Sequence, residues 1–176
     1  MKFQYPSRSL KPRVAYFAFG SNLDRRKLSR RIGSKDTIDP QAGKVMDYRL
    51  AFNMRGGGAE PSFAAAEKSL GSELHGCVYD LSRDQFGKLC LSEGVLPPVP
   101  FFPQAGAYRA VPVDVQLYSG EVVEAVTLEA TILAKTAFGR DVLPSQRYLD
   151  IMRNAARESG LEQDWIDLLD SYFDDA

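Results

Sequence analysis

The apolar, β-favouring run Val14-Ala15-Tyr16-Phe17-Ala18-Phe19 stops at Gly20-Ser21-Asn22, and a helical rhythm of Leu23, Lys27, Leu28, Arg31 and Ile32 begins directly after it. A buried strand that breaks into a tight turn before a helix aims successive backbone N–H groups at one point, which suits a carboxylate or an oxyanion. Gly20 permits close backbone approach, and Ser21 or Asn22 can cap the helix that follows. A second chemical candidate is Glu93, in Ser92-Glu93-Gly94-Val95. A helix capped by Ser82, with Phe86, Leu89, Cys90 and Leu91 facing inward, is expected to close there on glycine. By position alone, Glu93 is a helix-end carboxylate and the turn an ordinary structural device.

Other chemistries find little support. His75 is the single histidine and lies in an alternating run, so a strand residue is expected rather than a catalytic imidazole. Cys77 and Cys90 sit in apolar runs without a second ligand at metal-binding spacing, which reads as two buried thiols and no metal site. Gly56-Gly57-Gly58 lacks the lysine of a phosphate-binding loop and suits a hairpin connection. With 22 Lys and Arg against 23 Asp and Glu, the net charge of −1 provides no general field for nucleic acid or an anionic membrane. Arg25, Arg26, Arg30 and Arg31 read as a solvated helix face.

The elements that must position these residues follow from periodicity. Residues 1–12 read as a loose N-terminal arm and 13–176 as one domain. Three β-like stretches, Tyr48–Met54, Ser62–Glu67 and Glu73–Leu81, are expected between Lys44 and Leu81, broken at the triple glycine and at Leu70-Gly71-Ser72. Residues 96–107 hold four prolines and read as a long loop with an apolar tip. Strands Tyr108–Leu117 and Val122–Leu133 flank the turn Tyr118-Ser119-Gly120-Glu121. Two helices close the chain, one carrying Tyr148, Ile151, Met152, Ala155 and Ala156 to a stop at Gly160, the other carrying Trp165, Ile166, Leu168, Leu169 and Phe173. This order indicates an α+β fold, a small mixed β-barrel with helices packed around it. Without a signal-like or bilayer-spanning apolar run, a soluble cytoplasmic protein is expected.

Residues 16–23, Tyr-Phe-Ala-Phe-Gly-Ser-Asn-Leu, resemble the signature Tyr-Phe-Ala-Tyr-Gly-Ser-Asn-Leu of the γ-glutamylcyclotransferase family. Three further matches follow in the family's order. The stretch from Glu73 to Asp80 is similar to its Val-x-Gly-x-Val-Tyr strand, Glu93-Gly94-Val95 to its Glu-Gly-Val, and Pro144-Ser145-Gln146-Arg147-Tyr148 to its Pro-Ser-x-x-Tyr. The similarity spans about Val14 to Leu169.

The resemblance implies a cofactor-free enzyme, often homodimeric, that cyclises a small-molecule γ-glutamyl substrate to 5-oxoproline and a free amine. Carried over by position, Glu93 is the general acid and base, and Tyr16 with Phe19, Gly20, Ser21 and Asn22 belongs to the substrate-binding turn. Tyr148 and Tyr108 line the pocket. An apolar setting beside Val95, Phe101 or Phe102 is expected to raise the pKa of Glu93 and so poise it for both proton transfers. Phe19 departs from the signature by one hydroxyl, and loop 96–107 is longer than expected, which leaves a lid or a dimer contact open for it. The alternatives are a relative acting on another amide and a catalytically silent binding module of the same fold.

Overall fold

The computed structural model describes residues 12–35, 38–96 and 106–174. The expected arm, Pro12 apart, and most of segment 96–107 lie outside them. In chain order the elements are β1 (Arg13–Ala18), α1 (Arg25–Ile32), β2 (Gln41–Arg55), β3 (Ser62–Ser82), α2 (Arg83–Ser92), β4 (Tyr108–Leu117), β5 (Val122–Ala130), α3 (Gln146–Glu158) and α4 (Gln163–Asp174). The strands form a closed barrel in the order β1-β3-β2-β4-β5. All neighbours are antiparallel except β1 and β5, which meet in parallel at Tyr16 and Val126. The expected α+β class and mixed barrel are thus observed. No helix among the described residues is long and apolar enough to cross a membrane.

The long hairpin of β2 and β3 differs from the expected three short strands. Leu70-Gly71-Ser72 does not break β3. Instead the register slips between Met46↔Glu73 and Tyr48↔Lys68, so several residues of β3 oppose Asp47 alone. Asp47 takes a φ of 60° and its carboxylate accepts the Gly71 N–H at 2.8 Å, with Gly71 at a φ of 78°. A bulge of this kind bends a strand without ending it. The bend lets one end of β3 pair with β2 alone while its other end lies between β2 and β1. Closure there is tight: a Cβ at Gly76 would fall 2.2 Å from the Ala18 carbonyl oxygen, so only glycine lets β1 lie this close just before its turn.

Both thiols are free and buried, and His75 is a buried residue of β3, as expected. The barrel interior and the inner helix faces form one core, with Phe17, Tyr79, Phe86, Leu89, Leu149 and Met152 almost fully enclosed. Two apolar residues expected to face inward do not, and the last strand ends earlier than expected. Leu91 is 64% exposed because it follows Phe86 by five positions, off the face defined by Phe86, Leu89 and Cys90. Leu168 is 40% exposed beside the inward Trp165, Ile166 and Leu169. β5 stops at Ala130, since Thr131 turns to bond the Ala107 and Gly106 carbonyls and leaves Ile132 and Leu133 in solvent.

Candidate active site

β1 delivers the first component. Beyond Ala18 the chain passes Phe19 and Gly20 into a single 3-10 turn, Ser21–Leu23, closed by the Leu23 N–H on the Gly20 carbonyl at 3.0 Å. A Cβ on Gly20 would lie 3.1 Å from that of Ala64 and 3.4 Å from the Tyr148 hydroxyl, so the bare backbone is what allows the turn to approach β3 and α3. The cap of α1 is Asp24, not Ser21 or Asn22: its carboxylate accepts the Arg26 and Lys27 N–H groups at 2.9 and 3.1 Å. The extra 3-10 turn delays the helix by two residues and releases the Asn22 side chain for other bonds.

Glu93 is the residue that ends α2. Gly94 adopts a φ of 68°, its N–H reaches the Leu91 carbonyl at 3.2 Å, and the Val95 N–H reaches Cys90 at 2.8 Å. This paired closure needs a left-handed residue, which glycine supplies without steric cost. The same segment is stitched to the start of β4, because the Ala107 N–H donates to the Gly94 carbonyl at 2.8 Å and Val95 bridges Tyr108. Tyr148 stands in the first turn of α3, whose cap Ser145 accepts the Tyr148 N–H at 3.2 Å.

These segments converge. The Asn22 amide donates from Nδ2 to Glu93 Oε1 at 2.9 Å and to the Tyr16 hydroxyl at 3.0 Å, while its Oδ1 accepts from Arg31 at 2.5 Å. The amide therefore turns its nitrogen to the carboxylate and its oxygen to the guanidinium. Arg31 Nη1 also forms an ion pair with Glu93 Oε1, closing a triangle of Asn22, Arg31 and Glu93. Across the hollow, the Ala64 peptide holds both other tyrosines: its N–H donates to the Tyr148 hydroxyl at 3.3 Å, and its carbonyl accepts from Tyr108 at 2.9 Å.

The hollow lined by Tyr16, Gly20, Asn22, Glu93, Tyr108 and Tyr148, with Phe19 and Ser21 also in its wall, measures about 30 Å³. That is well below the roughly 300–1,000 Å³ usual for a small-molecule pocket. Burial raises the pKa of Tyr16, Tyr108 and Tyr148, so all three phenols stay neutral at physiological pH. Beside the Tyr148 wall, burial and then Arg31 lower Lys27 to about 8. A larger hollow of about 1260 Å³ is lined by residues of β1, β3, β4 and β5 and by residues 39–41, and by none of these site residues. Among the described residues no group of three or more His, Cys, Asp or Glu side chains could hold a metal ion.

All eight residues singled out in the sequence, Tyr16, Phe19, Gly20, Ser21, Asn22, Glu93, Tyr108 and Tyr148, line this one hollow. The expected apolar setting of Glu93 is not observed: its oxygen faces a guanidinium and an amide, and Phe101 and Phe102 lie outside the described residues. Arg31, read from sequence as part of a solvated face, is the functional candidate that reading missed. Its signal was helical phase, since it follows Lys27 by four positions and the buried Leu28 by three.

A closed five-stranded barrel with helices at its rim, and a hollow floored by a strand-end turn, define the class. The chain belongs to the AIG2-like family, which residues 73–169 match. Among solved structures, one described as γ-glutamyl cyclotransferase shares the fold with a TM-score of 0.75 and 22% identity, over 90% of this chain and 86% of that one. The human uncharacterized protein loc79017 gives 0.76 and 22% over 91% and 88%. YkqA from Bacillus subtilis gives 0.71 and 20% over 93% of this chain and 55% of its own. No curated protein sequence matches the chain.

Proposed function

We propose that the protein is a cyclotransferase that converts γ-glutamyl amino acids or amines to 5-oxoproline and a free amine. The observation that carries this reading is the shared hollow: a carboxylate from the end of α2 meets, through Asn22, the backbone turn at the end of β1. The AIG2-like family membership and the γ-glutamyl cyclotransferase fold support it.

The substrate's α-nitrogen arrives as an ammonium and must lose a proton before it can attack its own γ-carbonyl carbon. Glu93 accepts that proton. Ring closure then forms the new C–N bond, and the carbonyl oxygen becomes an oxyanion facing the N–H groups of the 19–22 turn. As the intermediate collapses, the bond to the leaving nitrogen breaks and Glu93 returns a proton to it. The ring nitrogen then gives up its second proton to the same carboxylate, which passes it on to the departing amine, so the product is a neutral lactam and an ammonium. Nucleophile and electrophile share one molecule, so the site's main task is to hold the folded conformer.

A hollow of about 30 Å³ does not admit a γ-glutamyl group as it stands, so binding requires side chains to move. Arg31 is the natural one: the incoming ammonium offers Glu93 a replacement cation, and the guanidinium retreats from Oε1. A homodimer belongs to the same reading. The test is to incubate the protein with γ-glutamyl dipeptides and amides and detect 5-oxoproline. Glu93→Gln should lower kcat by about 10²- to 10⁴-fold with the fold retained. Unchanged turnover in that variant removes Glu93 from the chemistry.

A second reading, a binding module that kept the pocket, is favoured by the closed Arg31–Glu93 pair. It predicts that 5-oxoproline raises the melting temperature while no γ-glutamyl compound is consumed.

A further inference from the structure

Lys27 is half-buried on the face of α1 that also carries Arg31, and its Nζ lies 5.7 Å from the centre of the Tyr148 ring. The charged groups that face it are Arg31 from α1, Asp24 from its cap, Arg147 from α3 and Glu60 from the segment before β3. Both acids are committed elsewhere. Asp24 accepts the Arg26 and Lys27 N–H groups, and Glu60 accepts the Ser145 N–H at 3.2 Å and Arg147 at 3.0 Å. Among the described residues the ammonium makes no ion pair and rests against an aromatic face. A half-buried ammonium held near another cation, without an anion of its own, is an arrangement that an anionic ligand relieves.

We propose that Lys27 selects the leaving group: its ammonium, at the Tyr148 wall of the hollow, receives the carboxylate of a γ-glutamyl amino acid and favours such acids over neutral amides. The inference rests on the cyclotransferase reading and adds the specificity residue to it. The substrate's ammonium and α-carboxylate share one carbon, so they occupy the same end of the site, where Glu93 and Arg31 supply partners of opposite sign. A leaving amino acid carries the remaining anion, only two bonds from the scissile nitrogen. Tyr148 is one wall of the hollow and Lys27 stands against its ring, so a leaving group directed at that wall brings its carboxylate toward the ammonium.

The decisive comparison is γ-glutamyl-alanine against γ-glutamyl-ethylamide, which differ by that carboxylate alone. The unaltered protein should show a kcat/KM about 10- to 100-fold higher for the alanine compound, expressed mainly in KM. In Lys27→Met the ratio should fall to near one, while Lys27→Arg should retain most of it. The preference of the unaltered protein should also fade as pH rises through about 8, where free Lys27 loses its proton. Equal use of both compounds, or a ratio that survives in Lys27→Met, overturns the assignment of Lys27 while leaving the cyclotransferase reading intact. Failure to form 5-oxoproline from either compound overturns both. Should Lys27→Met fail to fold, the substrate ratio of the unaltered protein and its pH dependence still decide the matter.

Discussion

The contact between Arg31 and Glu93 can be tested without any assumption about substrate, by a double-mutant cycle of Arg31→Met, Glu93→Gln and the combined variant. The side chains are 26% and 14% exposed, which places the pair between a solvent-screened surface bridge and a fully buried one. Exposed pairs contribute about 0–1 kcal/mol, and loss of one partner of a buried pair costs about 3–5 kcal/mol. A coupling of about 1–2 kcal/mol is therefore expected. The single variants should differ in a telling way. Arg31→Met strands a carboxylate whose remaining described donor is Asn22 and leaves the Asn22 oxygen without its guanidinium, so it should cost about 2–3 kcal/mol. Glu93→Gln keeps a neutral acceptor for both donors and should cost about 1 kcal/mol. For a chain of 176 residues, each kcal/mol corresponds to roughly 2–4 °C in melting temperature. Urea unfolding followed by the fluorescence of the single tryptophan, Trp165, supplies the four free energies. If the double variant equals the sum of the singles within about 0.3–0.5 kcal/mol, the two groups do not interact in solution. The closed state of the hollow, and the exchange of guanidinium for substrate ammonium, would then lose their basis.

The closure of α2 gives a second test. Gly94→Ala places a side chain at a φ of 68° and a Cβ 3.2 Å from that of Ala107, so it should cost about 1–2 kcal/mol and lower kcat by displacing Glu93. Normal stability and turnover would show that the helix end is not held as described. The His75 cluster predicts sensitivity to acid. His75 stacks on Trp165 at 5.0 Å and bonds the Tyr118 hydroxyl at 2.6 Å, and burial lowers its pKa. Below its ordinary value of about 6.5 the unfolded chain takes up a proton that the folded chain resists. The stability contributed by neutral His75 is thus complete above that value and declines as pH falls toward the folded pKa. Urea midpoints measured from pH 7.5 to 5.5 should fall for the unaltered protein and flatten in His75→Gln; parallel curves would contradict this account. Further loss is expected at lower pH, where Glu60, Glu67 and Glu73, all held below the usual carboxylate range by cationic and hydrogen-bonding partners, accept protons.

What could be read in the sequence divides along the range of the interaction that decides each feature. β4 and its turn into β5 were legible because alternation and Gly120 are local signals, and the Ser82 cap was legible because the Gln85 that completes it lies three residues on. β3 was read as two strands because Gly71 looks like a break when its partner is unknown; only Asp47, 24 residues earlier, turns it into a bulge. Arg31 shows the same limit at the site. Four arginines between positions 25 and 31 are chemically alike, and what separates Arg31 from Arg30 is one step of helical phase plus a carboxylate 62 residues away. Glu93 itself has no local mark of function, since a helix-end glutamate before glycine is ordinary surface chemistry until a second segment crosses it. Asn22 is that crossing point, a side chain freed from capping because α1 begins two residues later than its apolar rhythm suggests. The delay sets the chemistry: had Asn22 capped α1, its Oδ1 would have accepted backbone N–H groups in place of Arg31, and the amide would have lost the guanidinium that orients its nitrogen toward Glu93.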